Sequence, residues 1–414
     1  QSGMIPCSEH HPASSPFSVF SVMLAFCLWS GLERELHAAP AECPRPVSAT
    51  CFQQYVFDIE GEPFAPVEFP DIHFAVYNST YVYNVEAQDT LVPPKACQGS
   101  SCPQEEVNGF TLFGDFTSLQ LRYSPAPNVQ LYGGIFFAIP FGGEDTVDLV
   151  RPIFTIDYQP SDGVTFIAGT LQSRHLFLDA VFDDLVYFVR PVEQGFQLLI
   201  DSRYYQQDLF INWQQQNTRV TNERFDVGYV GKLKFGPLRL NTQIHFDHLG
   251  GEIPFPDTRP IVTRNNTAWA IGPALEFSPF RYLPFVSWWR VVGASFTFLG
   301  SRDDPDTRPP ELTTEGHAHE LRGWVEMFGT RLEAARWKGD NFVTSLGDRF
   351  YGVPEMTEVS IATLVRLAPE VFLELGAVLR FIDSNSNSDP VSVGYAAVHW
   401  NMDFDLGPLF KQVS

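Results

Sequence analysis

Histidines and acids at alternate positions are the first residues whose spacing suggests chemistry. His317 and His319 are separated by one residue, and so are His245 and Asp247. Alternate side chains of a β-strand point to the same face, so such a pair can chelate a metal ion. Histidine is also common at strand ends, and the spacing indicates no third ligand. We therefore predict no metal site and no cofactor.

Catalytic constellations give no clearer signal. Nucleophilic catalysis needs a serine or cysteine held beside a histidine and a third polar group. The sequence contains no G-x-S-x-G motif, and its spacing pairs no particular serine with a particular histidine. Neither a Walker-type phosphate loop nor a dinucleotide fingerprint occurs. We therefore expect no catalytic residues and no enzymatic activity, with an enzyme as the minority interpretation.

The elements that would position these side chains are clearest in the 28 residues from Glu223 to Gly250. Two arms with almost unbroken alternation of polar and apolar residues flank Gly236 and Pro237, which form a tight reversal. Each arm has the roughly 9–11 residues that a tilted strand needs to cross a bilayer. The pattern predicts one hairpin of a membrane-spanning β-barrel.

Composition excludes other classes of protein. The chain has 414 residues, 44% of them hydrophobic, with 37 Phe and a mean hydropathy of −0.08. Because no stretch of about 18 consecutive apolar residues occurs, a helical membrane protein is excluded. The net charge of −22 argues against a nucleic-acid partner.

The N-terminal region carries export signals. Phe17–Trp29 is an apolar run of signal-peptide length, and Ala39-Pro40-Ala41 resembles a cleavage site, so we expect residues 1–41 to be a leader.

Four cysteines follow within about sixty residues. We interpret Cys43, Cys51, Cys97 and Cys102 as candidates for two disulfides. The spacing of the cysteines does not determine how they pair, and zinc binding is the less favoured alternative.

Hairpins with short turns alternate with long polar connections along the rest of the chain. One strand at Asp71–Glu86, seven hairpins and a last strand at Val391–Asp405 predict 16 strands. An even number of strands places the start of the first strand and the end of the last strand on the same side of the membrane, so that these two strands can pair and close the barrel.

At this point the chain resembles a bacterial outer-membrane porin-type barrel, across about Asp71–Asp405. The resemblance implies an all-β, antiparallel transmembrane barrel at residues 71–410, preceded by a periplasmic segment at residues 42–70. It also implies a Gram-negative outer membrane, short periplasmic turns and long external loops. The implied partners are membrane lipid, lipopolysaccharide and small hydrophilic solutes, with a homo-oligomer or a complex partner as a further expectation.

Charge decides which strand face we expect in the lumen. A lipid-facing Arg or Lys costs roughly 2–4 kcal/mol at the bilayer midplane, so charged side chains should face inward. The principal residues predicted to face the lumen are Arg122, Arg203, Lys232, Arg239, His245, Asp247, Glu320, Arg322, Glu374 and Arg380.

One long connection, Ser173–Gln194, is apolar and aromatic with embedded acids. Porins fold their third external loop into the barrel, and by that resemblance Asp179, Asp183 and Asp184 would form a pore constriction. The segment could equally cap the barrel mouth or form a helix against a partner. We expect a diffusion channel with a weak preference for cations or neutral solutes. The alternative is a structural barrel that holds a partner within a larger complex.

Overall fold

A computed structural model of the chain describes residues 71–87, 90–92, 105–107, 109–142, 147–172, 175–218, 221–250, 263–277, 289–305, 313–383 and 390–407. The predicted leader, residues 42–70 and the four candidate disulfide cysteines lie outside these ranges. Contacts divide the chain into Gln1–His37 and Ala38–Ser414, and every described residue belongs to the second unit. Among the described residues, no helix has the length and apolarity needed to cross a membrane.

Sixteen antiparallel strands form a closed barrel, which confirms the predicted fold class and strand number. The strands in chain order are β1 (Asp71–Glu86), β2 (Thr90–Val92), β3 (Glu105–Val107), β4 (Phe110–Ala126), β5 (Val129–Pro140), β6 (Leu149–Ser161), β7 (Val164–Thr170), β8 (Gln194–Asp201), β9 (Tyr205–Gln215), β10 (Glu223–Phe235), β11 (Leu238–Gly250), β12 (Arg264–Phe277), β13 (Trp289–Pro305), β14 (Thr314–Met327), β15 (Thr330–Asp340), β16 (Glu355–Ala368), β17 (Val371–Ile382) and β18 (Val391–Asp405). Strands β2 and β3 pair only with each other, and the other sixteen make the barrel.

Closure of the barrel joins the two ends of the sequence. Strand β1 pairs with β18 on one side and with β4 on the other. Ser79 therefore has two cross-strand neighbours, His399 on β18 and Phe116 on β4. We call this junction of β18, β1 and β4 the seam.

The hairpin of β10 and β11 has the register that its alternation predicted. Glu223 pairs with Gly250 and Phe235 with Leu238, so only Gly236 and Pro237 remain in the turn. Gly236 has a φ of 59°, a left-handed conformation that glycine adopts without strain. The described short turns lie at one end of the barrel, here called the turn end, and the opposite end is called the loop end.

The outside of the barrel is apolar, as contact with lipid requires. Large outward side chains such as Phe154, Phe196, Phe298 and Leu321 are more than half exposed. Each belongs to a strand whose intervening residues point into the barrel. This apolar surface fits a barrel that spans a membrane.

The inside of the barrel is filled by two loop segments, residues 175–193 and 341–354, which we call the plug. They are joined by hydrogen bonds from Asp183 N to Leu346 O and from Asp348 N to Asp179 O, both 2.7 Å. The first contains the helix α1 (Leu185–Val189) and the second a 3-10 helix (Arg349–Gly352). Apolar plug side chains pack against inward residues of the wall in two clusters.

Candidate functional site

A serine and a histidine from opposite ends of the chain meet inside the seam. Ser79 lies in the middle of β1 and His399 lies on β18, and both point into the barrel. The Ser79 hydroxyl is 2.8 Å from His399 Nδ1, and neither residue is exposed. Barrel closure alone brings them together, because 320 residues separate them in the sequence.

A buried carboxylate completes the constellation from the next strand. Glu374 on β17 places Oε2 3.1 Å from His399 Nε2, and its Oε1 accepts a hydrogen bond from the Tyr395 hydroxyl at 3.2 Å. If Nε2 carries the ring proton, His399 donates to Glu374 and Nδ1 is free to accept from Ser79. The ring nitrogens are used in the reverse of the order in chymotrypsin-like enzymes.

This arrangement has the parts required for nucleophilic catalysis: a hydroxyl, an adjacent base and an acid that orients the base. Sequence reasoning placed Glu374 in the lumen but did not associate it with a serine. The usable signal was the predicted pairing of the first and last strands, which limits the inward residues that can meet. We call Ser79, His399 and Glu374 the triad.

Aromatic side chains cover the triad on its loop-end side. Phe116 is the cross-strand neighbour of Ser79, and its ring lies 4.7 Å from that of Tyr81, the next inward residue of β1. Phe188 of α1 in turn lies 5.0 Å from both Tyr81 and Tyr83. The plug therefore closes this path, and a substrate reaches Ser79 from the loop end only if α1 moves.

The predicted lumen residues have two different placements. Nine of them point to the inside of the barrel wall, where most pair with one another or with further acids. Arg203 is the exception, and its predicted position on a strand wall is wrong. Strand β8 ends at Asp201, so Arg203 lies in an exposed turn with its guanidinium over the Tyr204 ring.

The three acids predicted to form a constriction lie inside the barrel as part of the plug. Asp179, Asp183 and Asp184 line one small cavity together with Asp348 and Arg380. Burial, and then the charge of Glu358, raise the pKa of Asp179 well above its usual range. The helix that was one expectation for this segment is limited to α1, which begins at Leu185, and Leu176–Phe182 is not helical.

Two of the basic residues predicted to face the lumen pair with acids outside the plug. Arg122 pairs with Asp403 at 3.0 Å, and Arg239 lies 3.4 Å from Glu276. Lys232 lines a larger cavity of about 350 Å³ together with Asp179 and Arg322. The structure therefore places Arg380 and Lys232, but not Arg122 or Arg239, around the same cavities as the acids.

A buried histidine fixes the start of the plug to the wall. His175 donates two hydrogen bonds, one of 2.7 Å to Glu193 and one of 2.8 Å to Asp208 on β9, and its ring stacks on Phe210. Burial alone would lower the pKa of His175, but the charges of Glu193 and Asp208 outweigh it and raise that pKa to about 10. The histidine is therefore a cation at neutral pH and clamps the plug between two acids.

The alternate-position histidines that suggested a metal site face outward. His317 and His319 lie at exposed positions of β14, and the ring of His319 lies 6.0 Å from that of Phe296. Among the described residues, one group of potential ligands, Asp71, His73 and Asp405, places its atoms within 4.8 Å of one another. His73 is also bonded to Asp403 at 2.7 Å, which makes this an ion-pair network at the turn end.

Solved structures similar to this chain are outer-membrane proteins. A loop L8 deletion mutant of OmpT from Vibrio cholerae is 8% identical, with a TM-score of 0.47 and coverage of 81% of this chain and 100% of that one. An anion-selective porin from Comamonas acidovorans is 8% identical at a TM-score of 0.44, covering 81% and 100%. OprD from Pseudomonas aeruginosa is 8% identical at 0.40, covering 83% and 96%. No curated protein matches.

A family model gives a more specific result. The family described as lipid A 3'-O-deacylase-type matches residues 70–371, well over half of the chain. The expectation that the protein has no enzymatic activity is therefore wrong, because the matched family is named for an ester-cleaving enzyme. The sequence lacks the short motifs by which hydrolases are commonly recognised, which is why motif reasoning missed it.

Proposed function

Because the chain belongs to the lipid A 3'-O-deacylase-type family, we propose that it hydrolyses an acyl ester of a lipid A-type lipid in the outer membrane. The observation that carries the proposal is the triad, in which Ser79 lies 2.8 Å from His399 and His399 lies 3.1 Å from Glu374. Lipopolysaccharide is then the substrate as well as a component of the surrounding membrane. The family match ends at residue 371, so the roles of Glu374 and His399 rest on the geometry of this chain.

The proposed reaction has two steps. Ser79 Oγ attacks the ester carbonyl carbon while its proton passes to His399 Nδ1, and Glu374 stabilises the resulting imidazolium through Nε2. The tetrahedral intermediate collapses when His399 returns the proton to the departing sugar oxygen, which leaves an acyl group on Ser79. Water, deprotonated by His399, then attacks that acyl group, releases the fatty acid and restores the serine.

Access to the triad is a separate requirement. Ser79 and His399 are fully buried in this structure, which is therefore a closed state. The covering aromatic residues belong partly to the wall and partly to α1, and only α1 can move without breaking the strand pairing of the barrel. We infer that displacement of α1 precedes attack.

Release of fatty acid from purified lipid A in detergent micelles tests this function. Ser79→Ala should lower the rate at least about 10³-fold, since the nucleophile acts as one unit with its base. Ser118→Ala is the matched control, because Ser118 is an equally buried inward serine on β4 that bonds Gln120 instead of His399. Equal rates for Ser79→Ala and the parent would contradict the assignment.

A second proposal is passage of small solutes, with the weak cation or neutral preference that the sequence suggested. Its support is the cavity of about 350 Å³ inside the barrel, which Asp179, Glu333 and Glu358 line with Lys232 and Arg322. The apolar packing of the plug opposes a permanently open path. Single-channel recording in a salt gradient tests it: a steady conductance with a cation-selective reversal potential supports a channel, and a silent bilayer excludes one.

A further inference from the structure

The outward face of the seam carries polar residues where lipid contact favours apolar ones. Ser79 and Phe116 point inward, so the alternation of β1 and β4 directs their sequence neighbours outward. These neighbours are Asn78 and Thr80 on β1 and Asp115 and Thr117 on β4. We call the four residues the polar island.

Apolar side chains surround the polar island on the outer surface. Towards the turn end the next outward pair is Val76 and Leu119, and towards the loop end it is Val82 and Phe113. The flanking outward neighbours on β18 and β5 are Val398, Trp400, Phe137 and Ile139. The island is therefore enclosed within the apolar band and is not continuous with a polar rim.

Hydrogen bonds within the island converge on one carboxylate. Asn78 Nδ2 donates to both oxygens of Asp115, at 2.9 and 2.7 Å. The hydroxyls of Thr80 and Thr117 donate to the same carboxylate at 2.8 and 2.7 Å. These four bonds fill the lone-pair positions of Asp115, so the groups still able to bind a ligand are acceptors. Among the described residues, no donor is bonded to Asn78 Oδ1.

A carboxylate in contact with hydrocarbon is costly, and such residues mark functional sites in membrane proteins. Here the Asp115 carboxylate lies among three further polar side chains on the two strands that also hold Ser79 and its neighbour Phe116. A ligand for this site must itself lie in the bilayer and must present hydrogen-bond donors at the depth of its acyl linkages. An acylated amino-sugar lipid has amide N–H and hydroxyl groups there, whereas the linkages of phosphatidylcholine offer only acceptors.

We propose that the polar island binds the amide or hydroxyl groups at the acyl linkages of an acylated amino-sugar lipid while that lipid remains in the membrane. The inference rests on the proposed function for its substrate class. The island would hold the lipid against the outer side of β1, on the same strand that carries the nucleophile on its inner side. A second copy of the chain, seated on the island through its own polar residues, is the rival occupant.

Binding without turnover tests the proposal. In the Ser79→Ala background, lipid retained by the barrel is counted by native mass spectrometry from micelles that contain either lipid A or phosphatidylcholine. The test variant combines Asn78→Leu and Thr80→Val, and the control is Thr242→Val, which removes an outward hydroxyl of β11 far from the seam. We expect lipid A retention to fall about tenfold or more, as loss of one or two hydrogen bonds predicts, with phosphatidylcholine unchanged.

Three outcomes would overturn the proposal: unchanged lipid A retention, an equal loss of both lipids, or a change in oligomer mass instead of lipid count. Because the Ser79→Ala protein cannot turn over, this result is independent of hydrolysis. A protein that retains lipid A through the island but has no deacylase activity would refute the proposed function and leave this inference standing. The test variant removes three of the four hydrogen bonds to the Asp115 carboxylate, so it should unfold at a lower temperature than the parent, and lipid retention is compared below both unfolding transitions.

Discussion

The two faces of β1 carry different chemistry within three consecutive residues. Ser79 points inward to His399 and is fully buried, whereas Asn78 and Thr80 point outward to Asp115 and are surrounded by apolar residues. The inner face offers a nucleophile with a base but no path for a lipid in the closed state. The outer face offers hydrogen-bond acceptors on the lipid-facing side of the strand, but no described histidine is paired with a hydroxyl there.

This difference shows that polarity does not distinguish inside from outside at the seam. In a water-filled barrel, polar residues face the lumen and apolar residues face the lipid. Here the plug turns the aromatic ring of Phe188 towards the seam, and β1 presents Tyr81 and Tyr83 to it from the inner face. The outer face of β1 carries polar residues instead, Asn78 and Thr80.

The largest expected effect separates the two faces directly. Thr80→Ala changes the residue next to the nucleophile on the opposite side of the strand, so with saturating lipid A its turnover should remain within about threefold of the parent. His399→Gln should lower turnover about 10³-fold or more, since the base is lost. Fatty-acid release under saturating substrate compares the two. A larger loss for Thr80→Ala would place the chemistry on the outer face.

A smaller loss is expected when the orienting acid is neutralised. Glu374→Gln keeps the shape of the side chain but removes the charge that stabilises the imidazolium, and about a 10²-fold decrease in turnover should follow. In combination with Ser79→Ala the losses should not add, because the residues act as a unit. Additive losses in a double-mutant cycle would show that Glu374 acts independently of Ser79.

Opening the plug should change the rate by only severalfold. Phe188→Ala removes the ring that packs on Tyr81 and Tyr83 above the triad, so turnover should rise about two- to tenfold if access limits it. Phe350→Ala is the control, because it removes a buried ring from the other apolar cluster of the plug. A decrease in turnover for Phe188→Ala with the fold intact would mean that α1 helps to form the site instead of covering it.

The smallest effect concerns the clamp at the start of the plug. The pKa of His175 is raised to about 10, so its ion pairs stabilise the folded state fully below about pH 6.5 and this stabilisation is lost as the pH rises through about 10. The thermal unfolding temperature should therefore fall between pH 7 and pH 10.5 more in the parent than in His175→Gln. His248→Gln, an outward histidine beside Asn265, should behave as the parent. Equal pH dependence in all three proteins would exclude the clamp.

Much of the barrel was predictable from sequence because a strand period of two repeats in every hairpin. The turn at Gly236 and Pro237 and the pairing of the first and last strands followed from this pattern and from the need to close the sheet. The position of α1 did not, because the pattern of Leu176–Phe182 fits a helix as well as an extended segment packed on an apolar wall. The packing of Phe177 against Phe210 and His245 decides between these states, and both of these residues are distant from Phe177 in the sequence.

The candidate site was predictable only in part. Glu374 was placed in the lumen by its charge, but Ser79 gives no such signal. A serine is small and uncharged, and its neighbours Asn78 and Thr80 are equally polar. Only the register of β1 against β18, which depends on closure of the whole barrel, selects Ser79 over these neighbours as the partner of His399.

Covalent labelling of the nucleophile tests the central claim most directly. A long-chain alkyl fluorophosphonate, which reacts with activated serines, is incubated with the Phe188→Ala protein in micelles, and the modified residue is located by peptide mass spectrometry. The account predicts one phosphonylated serine, Ser79, whose labelling is abolished by His399→Gln and unaffected by Ser118→Ala. Labelling of another serine, or labelling of Ser79 that persists in His399→Gln, would contradict it.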